Sequence, residues 1–144
     1  MKNFKLPFLR TIFTLATILG SFAPGQEKSS ADKVAEWKRA AEHGQAEAEY
    51  WFGTCYDSQS RWRGTFLDHG QGMAKDDVEA VKWYLKAAEQ GFALAQSVLG
   101  DYYYTGRGVE KDDIKAVKWY RKAAEQGLSD SQFHLGGCYI MGQG

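Results

Sequence analysis

Three histidines, two cysteines, a serine–lysine pair and two glycine-rich turns are the places where this chain of 144 residues could do chemistry. His43, His69 and His134 are scattered and form no His-Glu-x-x-His or other paired spacing that would hold a zinc ion. No metal and no cofactor are expected. Ser30 and Lys33 have the S-x-x-K spacing of serine acyl transfer to β-lactams. They sit just after a stretch of turn formers, however, where Ser30 or Asp32 more simply caps a helix by accepting from its free N–H groups. The turns GQGMAKDD and GRGVEKDD lack the Lys-Ser ending of a phosphate loop and the alternating acids of a calcium loop. No catalytic residue is assigned, and the chain reads as a non-enzyme.

The elements that would position these residues begin after an N-terminal segment of a different kind. MKNFK is positively charged, LPFLRTIFTLATILGSF is largely apolar, and APGQ supplies small and turn-forming residues. That is the order of a signal peptide over residues 1–25, with residues 26–32 as a linker. The clean apolar run from Thr11 to Phe22 is shorter than the roughly 20 residues that span a bilayer, so an uncleaved anchor is the alternative reading. Removing residues 1–25 takes away Lys2, Lys5 and Arg10 and leaves 15 basic against 18 acidic side chains. A mildly acidic chain of this kind has no basic stripe for nucleic acid and no polybasic membrane anchor. Export to the periplasm or the extracellular space is the expectation.

The strongest regularity is a repeat. KDDVEAVKWYLKAAEQG starts at Lys75 and KDDIKAVKWYRKAAEQG at Lys111, with 14 of 17 positions identical. Leu99, Gly100, Tyr103, Gly106 and Gly108 recur 36 residues later as Leu135, Gly136, Tyr139, Gly142 and Gly144. Backward, Phe52-Gly53, Tyr56, Ala40-Ala41 and Gly44 match at an offset of 47, so one copy carries 11 extra residues. In each copy Ala116, Val117, Tyr120, Ala123 and Ala124 fall on one side at helical spacing, with Lys115, Lys118, Lys122 and Glu125 opposite. Asp112 or Asp113 can cap this helix and Gly127 can end it in the left-handed conformation. ALAQSVLGDYYYTG supplies a second helix with Val98, Leu99, Tyr102 and Tyr103 inward. Helices this short are marginal alone, so the pairs must stack. The fold class is all-α, a solenoid of stacked antiparallel helix pairs. Its units are a half-repeat at 33–44, a repeat with an insertion at 45–91, a repeat at 92–127 and a partial repeat at 128–144.

The pattern carried by Ala95, Leu99, Gly100, Tyr103, Gly106, Gly108, Val109, Asp112, Ala116, Trp119, Tyr120, Ala123, Ala124 and Gly127 resembles the Sel-one-like repeat, a relative of the tetratricopeptide repeat. The resemblance covers about residues 33–144. It implies a tetratricopeptide-like superhelix that binds other proteins or oligomerises. Some secreted members are described as β-lactamases, which keeps a β-lactamase-like hydrolase as an alternative. A self-assembling structural protein is the other. Cysteine-rich members bridge their helix pairs, but Cys55 and Cys138 occupy the same repeat position two copies apart. Stacked pairs advance about 10 Å each, beyond the roughly 7 Å limit between bridged Cα atoms. Two buried free thiols are expected.

Two surfaces are candidates for an unidentified protein or peptide partner. The insertion, within Asp57 to His69, holds Arg61, Trp62, Arg63 and Phe66, residue types suited to a binding hot spot. The simpler reading is that Trp62, Phe66 and Leu67 fold back on their own repeat, or that the 11 residues lengthen a helix in phase. The second surface is the concave face, which by register would show Tyr50, Thr54 and Asp57, then Ser97, Asp101 and Tyr104, then Phe133, Gly137 and Ile140. Aromatic anchors with two acids suit a peptide groove, and an ordinary solvated helix face would read the same. The C-terminal end lacks the second helix of its last copy, leaving Phe133, Leu135, Tyr139 and Ile140 uncovered, so a homo-oligomer through that end is a further possibility.

Overall fold

A computed structural model describes residues 29–59 and 74–142. Within them are six α-helices and no strand: α1 (Ser30–Glu42), α2 (Ala46–Tyr56), α3 (Asp77–Glu89), α4 (Ala93–Thr105), α5 (Asp113–Glu125) and α6 (Ser129–Ile140). Each helix packs on the one before it and the one after it. The chain is an all-α solenoid. The expected signal peptide at 1–25 lies outside the described residues.

Local sequence explains the helix ends. Asp76 accepts from the N–H groups of Val78 and Glu79 at 3.0 and 3.1 Å, and Asp112 from Lys115 at 2.9 Å, so the first Asp of each KDD triplet's final pair is the cap. At α1 the cap is Ser29, not Ser30 or Asp32. Ser29 Oγ accepts from the Asp32 N–H and the Asp32 carboxylate accepts from the Ser29 N–H, both at 3.2 Å. This reciprocal pair needs a Ser three residues before an acid, a spacing that Ser29 alone provides here. Helix α1 therefore begins inside the stretch expected as linker.

Glycine closes each tight turn between helices of the AAEQG type and the next. Gly91 and Gly127 have φ of 90° and 88°, which a residue with Cβ resists. The chain then folds back, with the N–H of Phe92 donating to Ala87 at 3.1 Å and that of Leu128 to Ala123 at 3.2 Å. The longer turns are closed by one repeated bond. The N–H of Asp112 donates to the Tyr103 carbonyl at 2.9 Å, and that of Asp76 to the Tyr56 carbonyl at 3.0 Å. The second pair spans the insertion. Helix α2 stops at Tyr56 and α3 starts at Asp77, so the extra residues do not lengthen either helix.

The core is aromatic and alanine-rich. Tyr84 is almost fully buried, with its ring 5.6 Å from Tyr50 and 5.7 Å from Tyr102. Ala80, Ala87, Ala95 and Leu99 fill the spaces between, each with no exposed surface. Alanine lets the helices approach and tyrosine fills the groove so formed. The closest approach is at glycine: a Cβ on Gly53 would stand 3.0 Å from the Tyr84 ring, and one on Gly100 would collide with Tyr120. Substituting Gly100 would force Tyr120 out of its slot.

On α5 the expected faces hold: Ala116, Val117, Tyr120 and Ala123 are buried, while Lys115, Lys118, Lys122 and Glu125 are exposed. Trp119, not assigned to a face from the pattern, is also buried and joins the central cluster. Lys118→Ala should therefore change the unfolding free energy by no more than about 0.5 kcal/mol, measured by urea denaturation. A larger loss would place Lys118 in a contact the fold does not show. Cys55 and Cys138 are buried free thiols in separate clusters. Burial pushes the Cys55 thiol up to about 11, so it stays protonated and unreactive at neutral pH.

Candidate recognition surface

Of the residues expected on the concave face, Tyr50, Thr54 and Ser97 are buried, while Asp101, Phe133 and Ile140 are exposed. Tyr50 is buried against Phe92 and Tyr84, with ring separations of 5.2 and 5.6 Å. Thr54 is buried and donates to the Trp51 carbonyl at 2.6 Å. Ser97 is buried, and Ser131 Oγ donates to its hydroxyl at 2.8 Å. Tyr104 is half-buried beside Tyr120 and Cys138. Asp101 stays exposed, yet it accepts from the Tyr120 hydroxyl at 2.7 Å. Phe133 and Ile140, at 80% and 89% exposure, are open because no further helix covers α6 among the described residues. Arg61, Trp62, Arg63 and Phe66 lie outside the described residues.

Asp57 anchors a charged network at the root of the insertion. Its carboxylate accepts from Tyr84 Oη at 3.1 Å, from Arg107 Nη2 at 2.8 Å and from the Gln59 N–H at 2.8 Å. Arg107 also lies 3.7 Å from Asp77 Oδ2, and its guanidinium covers the Tyr102 ring at 4.1 Å. Asp77 in turn accepts from the Ser58 N–H at 3.0 Å and the Ser58 hydroxyl at 2.9 Å. Burial opposes ionisation of Asp77, but these two bonds and Arg107 outweigh it and hold its carboxyl below the usual range. Burial, reinforced by the charge of Asp57, pushes the Tyr84 and Tyr102 phenols far up, so both remain neutral. The network ties α2, α3, α4 and the turn holding Arg107 together at both ends of the insertion.

A second recurrent tie explains the Gln of AAEQG. Gln90 Nε2 donates to Glu49 at 2.6 Å, and Gln126 Nε2 donates at 2.8 Å to Gln96, the residue equivalent to Glu49 one copy later. Burial raises the Glu49 pKa against the opposing pull of Lys86 and Gln90.

The surface left open on α2, α4 and α6 is set by helical spacing. On α4, Leu94, Val98, Asp101 and Thr105 fall on one face at i, i+4, i+7 and i+11. Leu94, Asp101 and Thr105 are exposed, while Val98, expected inward, is half-buried against the core cluster and keeps partial solvent access. Equivalent positions give Glu47 and Trp51 on α2, and Asp130, His134 and Met141 on α6. Three helices thus present a row of Glu47, Leu94 and Asp130 beside a row of Trp51, Val98 and His134. Trp51 stacks on Trp37 at 6.0 Å, and the His134 ring stacks on Tyr120 at 5.2 Å, with Nε2 4.0 Å from Asp101. Both packings hold the aromatic planes in place. Only Asp101 of this surface was foreseen. The rest follow once the faces meeting neighbouring helices are subtracted from each helix.

Among the described residues no group of three or more His, Cys, Asp or Glu side chains could hold a metal ion, and no helix is long and apolar enough to cross a membrane.

Comparison with known proteins agrees with the repeat. No curated protein sequence matches the chain significantly. Among solved structures, a protective antigen present in uropathogenic Escherichia coli strains and displaying an SLR fold is 38% identical, with a TM-score of 0.63. That match covers 76% of this chain and 21% of the antigen. A Sel1 repeat protein from Oxalobacter formigenes is 33% identical over 96% of this chain and 51% of its own, with a TM-score of 0.70. The chain thus spans about a fifth of the first relative and half of the second. Helicobacter pylori cysteine rich protein B, at 22% identity and a TM-score of 0.66, shares the fold over 88% of this chain and 84% of its own. The Sel1 repeat model matches residues 63–92, 93–128 and 129–144, and with the helix register described above this places the chain in the Sel1 repeat family.

Proposed function

We propose that the chain is an exported, non-catalytic scaffold that binds another protein on the open face of α2, α4 and α6. The observation that carries this reading is the row of Trp51, Val98 and His134 on α2, α4 and α6, which keeps solvent access, the first two half-buried against the core and His134 exposed. The insertion residues Arg61, Trp62, Arg63 and Phe66 are proposed as a second contact, because their two chain ends are fixed by the Asp57 and Asp77 network. A pull-down from envelope and secreted fractions tests both. A partner recovered by the whole chain should be lost with Leu94→Glu plus His134→Glu, both at exposed positions. Loss on deleting 60–70 as well would assign the insertion to the interface. Recovery unchanged by either variant would sink the reading.

Export is tested by fusing residues 1–32 to a reporter enzyme active only outside the cytoplasm. Absence of catalysis predicts no turnover of a chromogenic β-lactam above the buffer rate. Turnover abolished by Ser30→Ala would reinstate the hydrolase alternative.

Self-association is a second reading with its own observation. Ile114, Phe133 and Ile140 are exposed at 79%, 80% and 89%, and Gly136 has open space where Gly100 receives Tyr120. A mass that rises with concentration in light scattering, and no longer rises with Ile140→Glu, would establish it.

A further inference from the structure

The two layers of the solenoid differ in charge. Helices α2, α4 and α6 contain Glu47, Glu49, Asp101 and Asp130 and not one Lys or Arg. Helices α1, α3 and α5 carry nine, nearly balanced by eight acids. Core packing does not require this division, because the exposed positions of either layer can hold either sign. Glu49 is buried and held by Gln90, so it belongs to the fold. Glu47, Asp101 and Asp130 remain, all on the open face and all flanking the apolar row of Trp51, Val98 and His134.

We infer that the occupant of this face is a cationic segment of another protein, with apolar side chains on Val98 and Trp51 and lysine or arginine side chains toward Glu47, Asp101 and Asp130. The inference rests on the proposed binding function and names the chemistry of the partner. Two features support the sign. With no Lys or Arg on the three helices, an anionic partner would meet carboxylates with little compensation, which disfavours it by like-charge repulsion. Asp101 is already oriented by the Tyr120 hydroxyl at 2.7 Å, so little side-chain freedom is lost when a cation pairs with it.

The test uses the full chain and three fluorescein-labelled synthetic peptides in an anisotropy titration at low salt: four repeats of Lys-Ser-Leu-Ser, Gln-Ser-Leu-Ser or Glu-Ser-Leu-Ser. The lysine peptide should bind at least roughly tenfold more tightly than the glutamate peptide and weaken as salt is raised. Asp101→Asn with Asp130→Asn should loosen it by roughly threefold to tenfold, while Glu89→Gln, on the other layer, should leave it unchanged. Circular dichroism checks that each variant is folded. Asp101→Lys with Asp130→Lys should invert the preference toward the glutamate peptide. Equal binding of all three peptides, with loss on Leu94→Glu, would leave the binding face standing and overturn its cationic specificity. No binding of any peptide, with or without self-association in velocity sedimentation, would overturn both. Binding of the lysine peptide that ignores Asp101 and Asp130 would also overturn the assignment.

Discussion

Leu99→Ala should lower the unfolding free energy by about 2–5 kcal/mol. Leu99 has no exposed surface and lies in the cluster shared by α3, α4 and α5, beside Ala80, Ala87, Tyr84, Tyr102 and Trp119. Truncation removes its transfer free energy and leaves a cavity whose walls are tyrosine rings fixed by their neighbours, so collapse around it is limited. The same repeat position supplies an internal control. Leu135 is equivalent but only half-buried at the edge of its cluster, so Leu135→Ala should cost clearly less. Urea denaturation followed by far-UV circular dichroism measures both. Equal losses would mean that the two copies are covered to the same extent in solution and that α6 has a neighbour there.

Arg107→Ala should cost about 2–4 kcal/mol, a little under the full price of breaking a buried ion pair because Arg107 keeps some solvent access. Its removal leaves the nearly buried Asp57 without its cation, held by neutral groups such as Tyr84 and the Gln59 N–H, and deprives Asp77 of its only described cationic partner. A double-mutant cycle with Asp57→Asn isolates the pair, and a coupling near zero would show that Arg107 acts through its packing on Tyr102 alone. The pH dependence has a defined sign. Asp77 titrates below the ordinary aspartate value of 3.8, so its contribution is complete above that pH and is lost as the pH falls through its lower folded value. Asp77→Asn should therefore flatten the acid limb of the stability profile and leave the neutral range parallel to the parent.

Helices and the stacking order were legible because the duplicated string fixes the 3.6-residue phase twice over, whereas the Ser29 cap of α1, outside that string, was missed. The buried set Ala116, Val117, Tyr120 and Ala123 follows from that phase alone. Which helix face meets a neighbour and which meets solvent does not, since both faces of α4 are apolar: Leu99 and Tyr102 on one side, Leu94 and Val98 on the other. Tyr50 and Ser97 were placed on the open side for this reason, although packing against the following copy buries them. Arg107 was invisible for a different reason. Its partner Asp57 lies 50 residues away in the previous copy, and the equivalent positions in other copies hold Gln71 and Gln143, so no period marks it. The Gln90 to Glu49 tie crosses 41 residues in the same manner.

The bond from the Asp76 N–H to the Tyr56 carbonyl repeats the bond from Asp112 to Tyr103, although eleven more residues separate its ends. Loop length and superhelix geometry are therefore uncoupled at this turn. The chain enters and leaves the turn through the same bond, with Asp57 and Ser58 held in the charged network, so the extra length is accommodated between Ser58 and Asp76. Lengthening a closed loop costs little entropy, since each doubling adds only about 0.6 kcal/mol. The turn is thus a graft point: foreign segments placed there would be displayed on a rigid base while the helices beneath them keep their register.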